Sequence, residues 1–268
     1  MTLIAGFRHN NGVLLCSDTQ LESVTIKTRE SKIGKGEFPG GRIAFTFAGH
    51  ARKAQSAIDA CTRRLRNLKS GDDVFAALER ILEVQYRRLV HKDPGYGKDG
   101  SLDYWLILSV WIELRNRTFL WATSNVSLYE PTADYSFAGI GLELGYYIAT
   151  PVFNSEMSEE ETLFLAVYMM ARVSDNAHGV GGMSHYLSMH HDGSESPIMG
   201  VELDEALKNT AKGWDAVATR LLISIALQDV RKTPDAIRHL QLMHREAMAY
   251  WRHLLGADPA ICKIFPID

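Results

Sequence analysis

An α+β fold is predicted by three features of this 268-residue chain. Its first 49 residues read as short β-rich runs, and a helical period takes over after Gly49. Strand-like runs then return over residues 103–140, before a second helical stretch. With 46% hydrophobic and 23% charged residues, the composition is that of a folded globular chain able to bury a sizeable core.

Each element has a local reason. The runs TLIAGFR (residues 2–8) and VLLCS (13–17) flank His9-Asn10-Asn11-Gly12, whose turn-forming residues predict a hairpin. The second run closes on Asp18-Thr19-Gln20. A polar loop leads to Ser31-Lys32-Ile33, and a further strand over 42–47 stops at Ala48-Gly49-His50. Ala54, Ile58, Cys61, Leu65 and Leu68 then recur at helical spacing, with Arg63, Arg64 and Arg66 on a solvated opposite side. Ser70-Gly71-Asp72 breaks that helix and caps the next, which carries Val74, Phe75, Leu78, Ile81, Leu82, Val84 and Leu89. A Gly-, Pro- and Lys-rich loop over 91–100 ends it.

Strands at 103–115 and 117–124 meet at the polar turn Arg115-Asn116-Arg117. Trp105, Trp111 and Trp121 read as packing residues, because no basic residues are interleaved to make a base-stacking platform. A strand over 134–140 follows, then a helix over 159–174 that is apolar nearly all round and so belongs in a core. A strand with its turn covers 184–193. The tail, residues 203–268, is mostly helical; Thr233-Pro234 starts its longest helix, with Leu240, Met243, Tyr250, Trp251 and Leu254 on one stripe. One continuous domain is expected, with a core over about 2–202 and a helical extension over about 203–268.

The order Thr2, Asp18, Lys32 and Ala48-Gly49 resembles the catalytic β-subunits of proteasomes and their bacterial relatives, HslV and the Anbu proteins. All are N-terminal-nucleophile (Ntn) hydrolases. The Thr-to-Asp interval is similar to the family's, and the Asp-to-Lys loop is slightly shorter. The resemblance covers roughly residues 2–200 and implies a four-layer α/β/β/α sandwich. It also implies a peptide or protein substrate, no cofactor, and assembly into a ring or helical stack of like subunits. Which regulatory ATPase or chaperone would serve it, the residues do not name.

The chemistry explains these residue types. A threonine hydroxyl needs a base, and the α-amine of a terminal threonine can serve, since such amines titrate near ~7.7–8. No propeptide is expected ahead of Thr2, so the mechanism asks for removal of Met1. Lys32 would favour a neutral amine and a developing alkoxide, and Asp18 would hold Lys32. The Gly49 N–H would donate to the oxyanion. Two later stretches depart from the family. Leu142 stands where a serine is usual, with Glu143 as a helix N-terminal acid. In Asp175-Asn176-Ala177-His178-Gly179, Asp175 matches and His178 replaces a serine. Asp175 is expected to accept from the Thr2 hydroxyl or amine, with His178 assisting. A non-catalytic scaffold subunit and an amidase for a small molecule are the competing readings.

Other classes are argued against by composition. A net charge of −3 and a pI near 6.4 imply no nucleic-acid partner. Cys16, Cys61 and Cys262 form no CxxC pair or disulfide framework, which suits a reducing cytoplasm. No basic-then-apolar leader opens the chain, and no apolar run is long enough for a membrane span. His190-His191-Asp192 supplies no metal site, because adjacent strand residues point to opposite faces; no metal is expected.

Overall fold

The computed structural model describes residues 2–22, 27–68, 73–96 and 103–198 (backbone alone for 21–22 and 27–29), and single helical residues at 205, 208, 213 and 238. Within these, β1 (Leu3–His9) and β2 (Gly12–Asp18) form the expected hairpin around Asn10-Asn11, in register from Ile4↔Ser17 to His9↔Gly12. A short antiparallel ladder, β3 (Gln20–Glu22) with β4 (Lys27–Arg29), lies where the sequence reads as a polar loop. Then come β5 (Ile33–Phe38), β6 (Gly41–Gly49), α1 (Ala51–Leu65) and α2 (Val74–Tyr86). A π-turn over Arg87–His91 extends α2.

The second half opens with β7 (Tyr104–Ile112), β8 (Arg117–Ser124), β9 (Ser127–Tyr129) and β10 (Tyr135–Gly139). It continues with α3 (Leu142–Ala149), α4 (Glu159–Asn176), β11 (Ser184–His190) and β12 (Glu195–Ile198). Contacts divide the chain into one unit over Met1–Met199 and another over Gly200–Asp268. The tail helices read from the sequence, and Cys262, lie outside the described residues.

Two antiparallel five-stranded sheets stack face to face. One has the order β10-β1-β2-β11-β12 and the other β5-β6-β7-β8-β9. Between them lies a core of Ile4, Val13, Leu15, Ala44, Ile107, Leu120, Leu187 and Met189. A second core, with Phe45, Ile58, Leu65, Leu78, Leu106 and Trp121, joins the second sheet to α1 and α2. Helices α3 and α4 pack on the first sheet, so the layers run α/β/β/α. Every residue of β2 is buried because both faces of its sheet are covered. Gly6 marks a close approach between the sheets: a Cβ there would sit 2.6 Å from Leu120 and 2.7 Å from Ile107. Positions 4 and 6 of β1 therefore point towards the other sheet, and the alternation carried back one step places Thr2, just before the strand, on the same side.

Local chemistry sets the helix ends. Ser158 and Glu161 form a capping box on α4, each accepting from the other's backbone N–H. Ten of the eighteen α4 residues are buried, as its apolar pattern predicts. The cap of α2 is Asp73, accepting from Ala76 N at 3.2 Å, one residue beyond the Ser70-Gly71-Asp72 stretch expected to supply it. The strand pair at 103–124 closes not in a plain turn but through a 3₁₀ turn over Glu113–Arg115 and a left-handed Asn116 with φ 43°. Asparagine tolerates that conformation better than most residues. Among the described residues, no helix is long and apolar enough to cross a membrane.

Candidate active site

Three of the residues singled out in the sequence converge at one end of the space between the sheets. Thr2 precedes β1, Asp18 closes β2 and Lys32 precedes β5, so the first two come from one sheet and the third from the other. All three are buried, at 4%, 2% and 1% exposure. The Thr2 hydroxyl is hydrogen-bonded both to Asp18 Oδ1 and to Lys32 Nζ. Lys32 Nζ also donates to Asp18 Oδ1 at 2.7 Å and to the Gln20 carbonyl at 2.6 Å. An ammonium has three protons, and here each has an acceptor.

Backbone groups complete the carboxylate's shell. Leu3 N donates to Asp18 Oδ1 and Gly181 N to Oδ2, each at 3.2 Å. Four donors around one carboxylate satisfy its charge without water. Burial pushes the Lys32 amine below its ordinary value, opposed by the charge and hydrogen bond of Asp18. The Asp18 carboxylate thus offsets part of the desolvation cost of the Lys32 ammonium.

Glycines make the close approaches. Gly139, with φ 99°, pairs with Leu3 at the start of β1, and a Cβ on it would lie 2.2 Å from the Thr2 carbonyl oxygen. Gly182, with φ 79°, leaves room for Thr19 Oγ1, which accepts from Met183 N at 3.0 Å. Gln20 N donates to the Gly181 carbonyl at 3.2 Å, and Thr19 N to that of Met183 at 2.9 Å. The segment after α4 is thereby stitched to the strand end that carries Asp18.

Gly49 enters through the alternation of an antiparallel ladder. His50 N donates to the Asp103 carbonyl at 2.9 Å, so the next hydrogen-bonded rung is Ala48 with Trp105. The N–H of Gly49 therefore faces the opposite edge of β6, towards β5. That strand begins only at Ile33, opposite Thr46, so its ladder ends short of Gly49. The amide is thus aimed past the strand end that Lys32 precedes. Gly49 itself is exposed and left-handed, with φ 87°.

The remaining sequence candidates lie at the end of α4, in the turn after it and at the start of α3. Asp175 lies in the last turn of α4, exposed, with its Oδ2 3.9 Å from Arg172 Nη1. His178 is exposed in the following turn, and among the described residues no hydrogen bond joins it to Thr2, Asp18 or Lys32. Leu142 opens α3, and Glu143 lies exposed in its first turn. The contribution of Gly181 was not read from the sequence, where Gly179, Gly181 and Gly182 appear only as a spread-out version of the family's glycines. A backbone N–H carries no residue signature; the glycines themselves were the available signal.

His190, the last residue of β11, and His191, the first of the turn after it, have different partners. His190 bonds Glu159 Oε2 and Ser194 Oγ, each at 2.8 Å, while His191 Nδ1 accepts from Thr118 N at 3.0 Å. Among the described residues, no group of three His, Cys, Asp or Glu side chains is disposed to hold a metal ion. Cys16 and Cys61 are buried free thiols whose pKa is pushed up by burial, about 12 for Cys61.

No protein-family model and no curated protein sequence matches the chain. Solved structures do. Anbu (ancestral beta-subunit) from Yersinia bercovieri superposes with a TM-score of 0.67 at 19% identity, over 84% of this chain and 97% of that one. The helical assembly of the Anbu complex from Pseudomonas aeruginosa gives 0.69 at 15% identity, over 82% and 95%. An Anbu Gly-1 mutant from Hyphomicrobium sp. strain MC1 gives 0.68 at 18%, over 84% and 97%. The chain therefore has the proteasome-like Ntn fold that its first fifty residues resemble.

Proposed function

We propose that this chain is an Ntn threonine hydrolase that cleaves peptide or amide bonds through an acyl-enzyme on Thr2, once Met1 has been removed. The observation that carries the reading is the buried convergence of the Thr2 hydroxyl, the Asp18 carboxylate and the Lys32 ammonium. A structural ion pair has no need of a threonine hydroxyl held between its partners. Met1 lies outside the described residues.

The freed Thr2 amine takes the hydroxyl proton as Oγ1 attacks the substrate carbonyl carbon. Lys32, in contact with Oγ1, stabilises the negative charge that appears there; Asp18 keeps the ammonium charged and in place. The carbonyl oxygen becomes an oxyanion opposite the Gly49 N–H. The tetrahedral species expels the amine, which leaves with the proton from the α-amine, and an ester to Oγ1 remains. Water, deprotonated by the same α-amine, attacks that ester and releases the acid, returning the proton to Oγ1. Asp175 is proposed to steady the amine from the end of α4, with His178 beside it.

Assembly with further copies of the chain is part of the proposal, supported by the helical assembly described for the Pseudomonas aeruginosa Anbu complex. The buried free thiols suit a reducing cytoplasm. The test is intact mass before and after treatment with a peptide epoxyketone or β-lactone. The expected result is a protein lacking Met1 that gains one adduct, with none on Thr2→Ala and the fold retained. A protein that retains Met1 and takes no adduct would sink the catalytic reading in favour of a scaffold.

A further inference from the structure

The Gly49 N–H sits in the Ala48–Gly49 peptide, between the Ala48–Trp105 rung and the last rung of the β6–β7 ladder, which holds the peptide that follows. That rung is His50 N donating to the Asp103 carbonyl at 2.9 Å, and it sits one residue beyond Gly49 and one before β7 begins. The fit there is close: a Cβ on Gly49 would lie 2.3 Å from the same carbonyl oxygen. Any displacement of the Asp103 carbonyl is therefore passed to the Gly49–His50 peptide and, through the Gly49 Cα, to the Ala48–Gly49 peptide that carries the Gly49 N–H.

Asp103 is held from its other end. Tyr86, the last residue of α2 and 3% exposed, donates its hydroxyl to Asp103 Oδ1 at 3.0 Å, with Asn125 Oδ1 at 3.3 Å as a second acceptor. Its ring is wedged against Tyr104, centroids 5.7 Å apart, and His91, 5.2 Å apart. Immediately after Tyr86 the helix widens into the π-turn, a feature that recurs at functional sites. A second tie joins the segment after the π-turn to the helix that follows Gly49: Lys53, in the first turns of α1, pairs with Asp93 at 2.8 Å. Burial and the Asp103 carboxylate push the Tyr86 phenol above its ordinary value, so it stays a donor throughout the neutral range.

From this chain of contacts we infer that Tyr86 is a positioning residue, which acts through Asp103 to aim the Gly49 N–H at the oxyanion. The inference rests on the proposed hydrolase reading and adds a residue on α2 that touches no reacting atom. Its signature is selective loss of transition-state binding, because ground-state peptide contacts do not use that N–H.

The experiment compares wild type with Tyr86→Phe, Asp103→Asn and Asp103→Leu, using fluorogenic peptides for kcat and KM. A peptide boronate serves as the tetrahedral probe and the matching peptide carboxylate as the ground-state probe. Phenylalanine keeps the ring packing and removes only the hydroxyl; asparagine keeps an acceptor for Tyr86. Complete loss of an oxyanion donor costs ~10²–10³ in kcat, so misdirection of one should cost about tenfold. Tyr86→Phe and Asp103→Leu are expected to lose that factor in kcat and in boronate affinity, with KM and carboxylate affinity unchanged. Asp103→Asn is expected to stay within about twofold of wild type. Wild-type kcat in Tyr86→Phe, or a loss confined to KM, would overturn the inference while leaving the hydrolase reading intact. Absence of both turnover and boronate binding in wild type would overturn the two together.

Discussion

Replacing Asp18 by alanine removes the one counter-charge that, among the described residues, contacts a buried ammonium. Lys32 is 1% exposed and bonds Asp18 at 2.7 Å. Breaking a buried pair by deleting one partner costs about 3–5 kcal/mol, because the survivor remains desolvated and uncompensated. Leu3 N and Gly181 N also lose their acceptor. The converse change, Lys32→Met, is milder by about 2 kcal/mol, since Asp18 keeps both backbone donors and the Thr2 hydroxyl. The double variant should cost less than the sum of the singles by at least about 1 kcal/mol. Urea unfolding of the four proteins at one protein concentration measures this. The Asp18→Ala penalty should also shrink as pH rises. Without Asp18, burial alone acts on Lys32, whose native pKa then falls further below the ordinary 10.5, and the unfolded chain binds the extra proton. Additive single effects, agreeing within about 0.5 kcal/mol, would refute the argument that the two charges compensate one another.

Activity should follow a bell-shaped pH profile. The acid limb tracks loss of a proton from the Thr2 amine near ~8. The alkaline limb tracks Lys32 and falls below the ordinary 10.5, because burial lowers that group; Lys32→Arg should move that limb upward in a pH–rate series. Gly139→Ala should reduce kcat by at least about tenfold, since its φ of 99° and a Cβ 2.2 Å from the Thr2 carbonyl force the nucleophile's backbone to shift. A second expectation concerns the clamp between α4 and β11. The His190 pKa is raised, first by its hydrogen bond to Glu159, so its stabilisation is full below the ordinary 6.5 and is lost as pH rises through the folded value. Glu159 is lowered, with burial opposing the His190 bond, so its share is full above 4.5 and is lost as pH falls. His9 acts with the opposite sign: burial depresses it to about 4, which destabilises the fold as pH drops below 6.5. Burial lowers His191 as well, with the same sign as His9, so in a His9→Gln, His191→Gln background thermal unfolding should show a stability plateau between pH 4.5 and 6.5 that His190→Gln removes.

Much of the architecture was legible because its local signals agree. The Asn-Asn turn, the apolar α4 and the return of strands after residue 103 each appear where their residues require. The misses were elements whose pairing is decided elsewhere. β3 and β4 are three residues each, β9 also three and β12 four; runs so short have no period to read and exist because a neighbouring strand offers hydrogen bonds. Asp73, next to the Ser70-Gly71-Asp72 stretch expected to supply the cap, caps α2, since its carboxylate is the one that accepts from Ala76 N.

The sequence by itself determined the order of strands and helices and the residue types of a possible site: a threonine, an aspartate and a lysine at hairpin and strand ends, with a glycine closing β6. Only the tertiary structure decided that Thr2 and Asp18 from one sheet meet Lys32 from the other, that Gly181 caps the carboxylate, and that Asp175 and His178 lie exposed. The physical reason is that side-chain periodicity records which face of an element is apolar, whereas backbone N–H groups are alike at every residue. Which of them points into a site is set by ladder register and by the stacking of one sheet on another, and neither is written in any short stretch of chain.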